Sequence, residues 1–486
     1  MLPCGRPTQP AKIRPSGCAP THPLIYWRPM LPDYIAKASP NPAEKRAPWY
    51  ANTAPSYAGV FLWIGFYNAI AIGTIVHAGI GISILAVAVA GLLCYALYYY
   101  APAMLGMQTG FPLYVIGSST FGTRGGYIMP GLLMGALQIG WFAVGTFLSA
   151  TYILGGIGSA AKPGSLPFIV TGVIWGYIMA YAGAKGIQYV AKLSIYLNAI
   201  PFLMLLVVFI KTSPGLASYT PPEPNNFVAF TMLVQIVIGF FATAGAAGAD
   251  FGMNSRNERD VRLGGFTGVA LAAIYAGCLP LLSVAGAHVL FPGISGYNYD
   301  AVIASIGGLL ATSVFFLYAI ASIPPACFCA FIAGNSFSTM IPGVPRISSM
   351  MIGCTISIIL AVTGVAANLI GFFTIVGASF GPICGAIAAD YLLSGKRWAG
   401  PREGVNWAGY GAWAVGFVIG ILPNLPVSAT LKTYSQPAVL YSFIAGFVVY
   451  TILAKAGLEP RTVPLEEAGV RAPMGGNKSR YGRATA

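Results

Sequence analysis

Residues 236–262, IVIGFFATAGAAGADFGMNSRNERDVR, set an apolar segment of membrane-spanning character against clustered glycines and then a charged loop. In hydrocarbon every backbone N–H and C=O must be satisfied internally, so a weakened helix at membrane depth is tolerated only beside protein or a wet cavity. Gly245 and Gly248 each disfavour helix by roughly 1 kcal/mol relative to alanine. A span that keeps such residues together reads as a discontinuous helix, the device with which secondary transporters build a binding site.

The rest of the chain agrees with a membrane setting. Of its 486 residues 56% are hydrophobic and 8% charged, where soluble domains carry about 25% charged residues. The apolar residues fall in blocks long enough to cross a bilayer, each needing about 20 residues. Twelve spans are expected: 58–81, 83–101, 128–156, 166–184, 189–211, 228–249, 263–290, 305–333, 347–366, 369–393, 406–423 and 435–455. This is an all-α integral membrane protein.

The net charge of +14 is unevenly distributed. Arg124, Lys185, Lys192, Arg256, Arg259, Arg262, Arg346, Lys396, Arg397 and Arg402 fall in alternate loops, and the intervening loops hold only Lys162, Lys211 and Lys432. That bias orients both termini to the cytoplasm, in the plasma membrane, by the positive-inside rule. No nucleic-acid partner is expected, because the basic residues hug span ends and form no stripe with aromatics. Residues 1–48 and the tail from about 458 have the composition of disordered cytoplasmic segments. They flank a transport core over 49–395 and two further spans over 396–457.

Ionisable groups inside the spans usually mark ion or proton pathways, and here they are scarce. Asp250 and Asp390 sit at span ends. Asp250 is expected to pair with a loop arginine such as Arg256, and Asp390 to mark the membrane surface, with Lys396 and Arg397 beyond it. A cargo crossing this core is neutral or weakly charged. With 12 acidic residues, nearly all in tails and loops, no acid or histidine cluster suits a membrane enzyme. The 8 cysteines suggest packing rather than a disulfide or metal framework.

In the first span, GVFLWIGFYNAIAIGTIVHAG, Asn68, Gly73 and Thr74 bring backbone freedom and hydrogen-bonding capacity to the middle. His77 follows near its end, either as an interfacial histidine or as a titrating group. The first and sixth spans, five apart, are both glycine-interrupted, which points to an inverted repeat with its site at the two breaks. The third span carries Gln138 and Trp141 in GALQIGWFAVGTF. A mid-membrane tryptophan either packs against small residues or offers a platform to a planar ring. Phe240 and Phe241 of the sixth span could supply an opposing face.

Four segments in order resemble the nucleobase:cation symporter-1 family, the cytosine–purine permeases. They are GALQIGWFAVG, ATAGAAGADF with its basic loop, FFTIVGASFGPICGAIAADYLL, and SIPPACFCAFIAGNSFSTMIPGVPR, the last leaning to the purine–cytosine branch. The resemblance implies a LeuT-like five-plus-five inverted repeat with discontinuous helices 1 and 6, two extra C-terminal spans and nucleobase-type cargo. It implies that Trp141 stacks on the substrate ring and that Phe241 lies across from it. Gly145 matches a position that is glycine in cytosine permeases and glutamine in hydantoin-type members. The eighth span departs from the pattern, with Pro324 and Pro325 where relatives carry Asn, Asp or Thr.

The expected activity is therefore ion-coupled import of a nucleobase or related planar nitrogen heterocycle by alternating access, with Gln138, Asn68 and exposed backbone reading the ring's edges. The alternative is an allantoin, hydantoin or vitamin-precursor carrier, or a carrier of a non-aromatic solute such as an amino acid on the same fold. No cofactor is expected beyond a coupling cation, Na+ or H+. Its candidate ligands are the hydroxyls of Thr74, Thr312, Ser313 and Ser322, a thin set for sodium, with His77 or Asp250 as proton-carrying groups.

Overall fold

Long apolar runs without polar alternation close their backbone hydrogen bonds within helices. In the computed structural model, which describes residues 31–185 and 196–463, the chain does so almost throughout. Among the described residues the β contacts are two isolated bridges, Ala47 to Ser255 and Arg402 to Thr462.

The helices are α1 (Asp33–Ala36), α2 (Thr53–Phe61), α3 (Ile64–Tyr67), α4 (Ile80–Thr109), α5 (Leu113–Phe121) and α6 (Gly125–Gly156). Then come α7 (Leu166–Ala184), α8 (Ala199–Ser218), α9 (Asn226–Ala246), α10 (Gly248–Gly252), α11 (Glu258–Leu290) and α12 (Tyr299–Ile306). The last are α13 (Gly308–Met340), α14 (Arg346–Val362), α15 (Leu369–Leu393), α16 (Trp407–Ile421), α17 (Ala429–Tyr434) and α18 (Ala438–Lys455). Among the described residues 9 helices are long and apolar enough to cross a membrane. The remaining expected spans correspond to α14 with 17 residues, α16 with 15 residues, and the first span. Part of the expected fifth span, 189–195, lies outside the described residues, as does Lys192.

The first span is not one helix. It stops at Phe61, passes through Trp63 in extended conformation, turns helical again for Ile64–Tyr67, and then runs in turns from Asn68 to His77. Gly73 stands at φ +68°, a left-handed conformation that costs glycine nothing. The sixth span is interrupted once, at Ala247, between α9 and α10.

The sixth-span glycines have a different role from the one read in the sequence. Helix α9 runs through Gly245 unbroken. A Cβ on Gly245 would lie 2.6 Å from Tyr98 Cβ, and one on Gly248 2.9 Å from the Tyr99 carbonyl oxygen. Gly252 faces the Ala103 carbonyl oxygen at 2.1 Å and Gly106 the Ala249 carbonyl oxygen at 2.1 Å by the same measure. These glycines let the end of the sixth span press its backbone against α4, as small residues do between membrane helices. Gly252→Ala must push two backbones apart. It is expected to cost about 1–3 kcal/mol, visible as a lower thermal midpoint of the purified protein; an unchanged midpoint would contradict this packing.

One end of the molecule gathers both described chain ends and most of the basic loops. Arg46 donates to the Met107 and Asn41 carbonyls, Ala47 N–H to the Asn254 carbonyl, and Tyr34 hydroxyl to the Thr123 carbonyl. Thus residues from Leu31 to Pro48, expected in a disordered tail, are ordered against this end; residues 1–30 lie outside the described residues. The same end binds the C-terminal segment, where Val463 N–H donates to the Pro401 carbonyl.

Two expectations about acids are corrected here. Arg256 pairs with Asp260 at 3.0 Å, not with Asp250, because the two lie one turn apart at the start of α11. Asp250 instead accepts the Leu113 N–H at 3.4 Å, at the start of α5. Asp390 does not mark a surface: it is 3% exposed and ion-paired with Arg402 at 3.0 Å, while Ser119 and Thr120 donate to its other oxygen at 2.6 and 3.0 Å. Arg402 also meets Glu459 at 2.9 Å, so a buried network ties α5, α15 and the C-terminal segment together.

Candidate functional site

The break in the first span brings its aromatics against α6, α9 and α15. Trp141 of α6 is 4% exposed and donates its indole N–H to Thr243 Oγ1 of α9 at 3.1 Å. Phe240 meets it edge-on at 5.2 Å between ring centres, and Phe372 and Phe373 of α15 approach at 4.9 and 5.5 Å. Trp63, carried by the extended stretch between α2 and α3, lies 5.6 Å away. Phe66 of α3 closes the cluster at 4.9 Å from Phe240.

Phe241 is not Trp141's partner. It stacks on Phe61 at 5.2 Å with planes 10° apart, and touches Tyr57 at 5.7 Å. Successive helical residues point about 100° apart around the axis, so only one of the two phenylalanines can face Trp141. The structure selects Phe240.

Two glycines of α6 shape the cluster. A Cβ on Gly145 would lie 2.8 Å from Trp63 Cζ2, so the missing side chain is the room that Trp63 fills. Gly140 receives Phe372 in the same way, at 2.4 Å. Gln138 is 7% exposed, and its amide reaches Met134 Sδ at 3.6 Å, a weak acceptor. Its hydrogen-bonding capacity is therefore largely uncommitted. The Trp63 indole N–H is buried and has no partner. An unpaired buried donor costs about 1–3 kcal/mol, so this N–H is poised to gain from a polar ligand.

Asn68 is engaged elsewhere. Its Oδ1 accepts the Tyr152 hydroxyl at 3.2 Å and the Asp300 N–H at 3.0 Å, tying the first span to α6 and α12. Two of the hydroxyls singled out for a cation are committed to backbone carbonyls. Thr74 donates to the Ile70 carbonyl at 2.7 Å within the turns of the first span, and Ser322 to the Tyr318 carbonyl at 3.0 Å within α13, each spent on its own span. Thr312 and Ser313 are half-buried near the start of α13. His77 Nδ1 lies 2.7 Å from the Glu223 carbonyl oxygen and 3.9 Å from its carboxylate, at a span end.

Trp63, Phe66, Phe372 and Phe373 are the aromatics of this cluster that sequence reasoning missed. The signal for Trp63 was present: a mid-span tryptophan two residues before Gly65, in a span already read as broken. As a whole the cluster offers flat apolar faces, one uncommitted indole N–H and one uncommitted amide beside irregular backbone. Such a site suits a small planar molecule with polar edges.

Comparison with known proteins agrees. The pattern of the family described as permeases for cytosine/purines, uracil, thiamine and allantoin matches residues 40–448. Cytosine permease of Escherichia coli (strain K12) is 27% identical over 346 residues, covering 67% of this chain and 76% of that one. The putative allantoin permease of the same strain is 22% identical over 324 residues, 59% of this chain and 65% of that one. Among solved structures, Mhp1 in its inward-facing conformation gives a TM-score of 0.69 at 16% identity, over 92% of this chain and 99% of that one. Mhp1 closed with bromovinylhydantoin bound, a nucleobase-cation-symport-1 family transporter, gives 0.64 at 17% identity, over 86% and 95%. A Na+-coupled sialic acid symporter in a substrate-bound outward-open state gives 0.58 at 12% identity, over 89% and 95%.

The family match therefore makes this a multi-pass membrane transporter, not an enzyme, and the fold is the LeuT-like one that Mhp1 shares. The chain belongs to the family of permeases for cytosine/purines, uracil, thiamine and allantoin.

Proposed function

We propose that this permease imports a nucleobase, cytosine or a purine, by ion-coupled alternating access, with the ring held among Trp141, Phe240 and Trp63. The observation that carries the reading is the buried, unpartnered Trp63 N–H beside Trp141, where glycine at 145 leaves room for the indole. The cytosine permease relatives supply the substrate class. Gln138 reads a second edge of the ring. Phe241 and Asn68 act from behind, holding Phe61 and α12.

The excess of basic residues at the end shared by Arg46, Arg124, Arg256 and Arg402 supports a cytoplasmic location for both termini, in the plasma membrane. The transport core spans residues 49–395, with two helices added after it.

Binding to the purified protein tests the reading. Titration calorimetry with cytosine, adenine, uracil and allantoin, with and without sodium, is expected to detect at least one planar base and no leucine. Trp63→Phe keeps the ring and removes the N–H. It should weaken that base by about fivefold, the worth of one hydrogen bond near 1 kcal/mol. Leucine binding, or wild-type affinity in Trp63→Phe, would contradict it.

A further inference from the structure

Asp300 is the second residue of α12, which folds over the break in the first span. Its N–H donates to Asn68 Oδ1 at 3.0 Å, and the same oxygen accepts the Tyr152 hydroxyl at 3.2 Å. Tyr67, directly before Asn68, packs its ring 5.6 Å from Tyr299 and 4.9 Å from Tyr318. An acid has thus been carried from a loop onto the helix break, among phenols.

The polar atoms of this cluster are incompletely paired. Asp300 Oδ1, the Tyr67 hydroxyl and the Ser283 hydroxyl of α11 are all buried without a hydrogen-bond partner. Tyr152 from α6 faces the carboxyl. Tyr299, beside Asp300 on α12, packs against Tyr67 from α3 and Tyr318 from α13, with Tyr275 of α11 behind it. His288 of α11 is occupied by the Val284 carbonyl and by stacking on Tyr297. Among the described residues no lysine, arginine or histidine forms an ion pair with Asp300. Asp300 as a residue is half-buried, with Oδ1 itself enclosed, and the backbone N–H groups of Asp300 and Ala301 offset the burial only in part. A carboxylate so placed without a cation gains by taking up a proton.

We propose that Asp300 is a proton-binding site of the outer gate, occupied while α12 lies over Tyr67 and Asn68 and emptied to external water when α12 lifts. The step is a simple transfer: the carboxylate takes a proton from external water on closure and returns it on opening. Burial pushes the closed-state carboxyl above the usual carboxylate range. The closed gate thus holds a proton that the open gate releases, so acid favours closure. Above the raised value closure is opposed about tenfold for each unit of pH.

The inference rests on the transport reading above only for its probe. In proteoliposomes containing the full chain, cytosine counterflow is expected to slow as external pH rises, whereas Asp300→Asn keeps the acid-side rate at every pH. A purely structural Asp300 would leave the pH profile of the variant parallel to wild type, and that result overturns the proposal. A second measurement needs neither a variant nor a substrate. Dicyclohexylcarbodiimide, which attacks protonated carboxyls in apolar surroundings, should label residue 300 of the wild-type protein at neutral pH, as read by mass spectrometry. Absence of that label at neutral and acid pH overturns the proposal. Labelling without any cytosine counterflow upholds it and counts against the substrate reading instead.

Discussion

Trp141→Ala is expected to lower apparent affinity for the transported base by roughly a hundredfold while the protein still reaches the membrane. Removing the indole takes away ring stacking worth about 0.5–1.5 kcal/mol and apolar contact worth about 1.5–3 kcal/mol. A total near 3 kcal/mol corresponds to roughly two decades in affinity. Trp141→Phe separates the contributions, since it keeps a flat ring but loses the N–H bond to Thr243. It should retain most of the affinity. Concentration-dependent uptake, normalised to membrane abundance, checks both variants, and full uptake by Trp141→Ala would remove the ring from the binding site.

The largest effect on stability is expected at the opposite kind of site. Arg402 is 6% exposed and Asp390 3% exposed, and Arg402 also reaches Glu459. Arg402→Met leaves the Asp390 carboxylate enclosed without a cation. Breaking one side of a buried pair costs about 3–5 kcal/mol, a large share of the roughly 5–15 kcal/mol that holds a domain folded. The thermal midpoint in detergent should fall steeply. Adding Asp390→Asn to Arg402→Met should recover part of the loss, because the stranded charge is then gone. A single variant as stable as wild type would mean that the network is ornamental to the fold.

The helical passes were legible because hydrocarbon leaves the backbone few options. Spans 166–184 and 369–393 coincide with α7 and α15, and the first span is irregular through Asn68 and Gly73 as expected, though its first interruption falls earlier, at Trp63. The pairing of side chains was less legible. Gly245 and Gly248 looked like helix breakers, yet a glycine's lack of Cβ serves close packing as readily as irregular backbone, and only the neighbour Tyr98–Tyr99 decides which. Phe240 and Phe241 differ by one residue and hence by the rotation that separates facing Trp141 from facing Phe61. Asp390 looked superficial because Lys396 and Arg397 follow it, whereas its partners Ser119 and Arg402 come from other elements. Asp300 stood in a loop, and nothing local says that α12 folds back onto Asn68.

Radiolabelled cytosine uptake into vesicles containing this protein, with sodium and proton gradients imposed separately, tests the central claim most directly. The account predicts saturable uptake above protein-free vesicles, raised by one of the two gradients and competed by adenine, uracil or allantoin but not by leucine. No uptake of any planar base under either gradient, or competition by leucine as strong as by the bases, would contradict it.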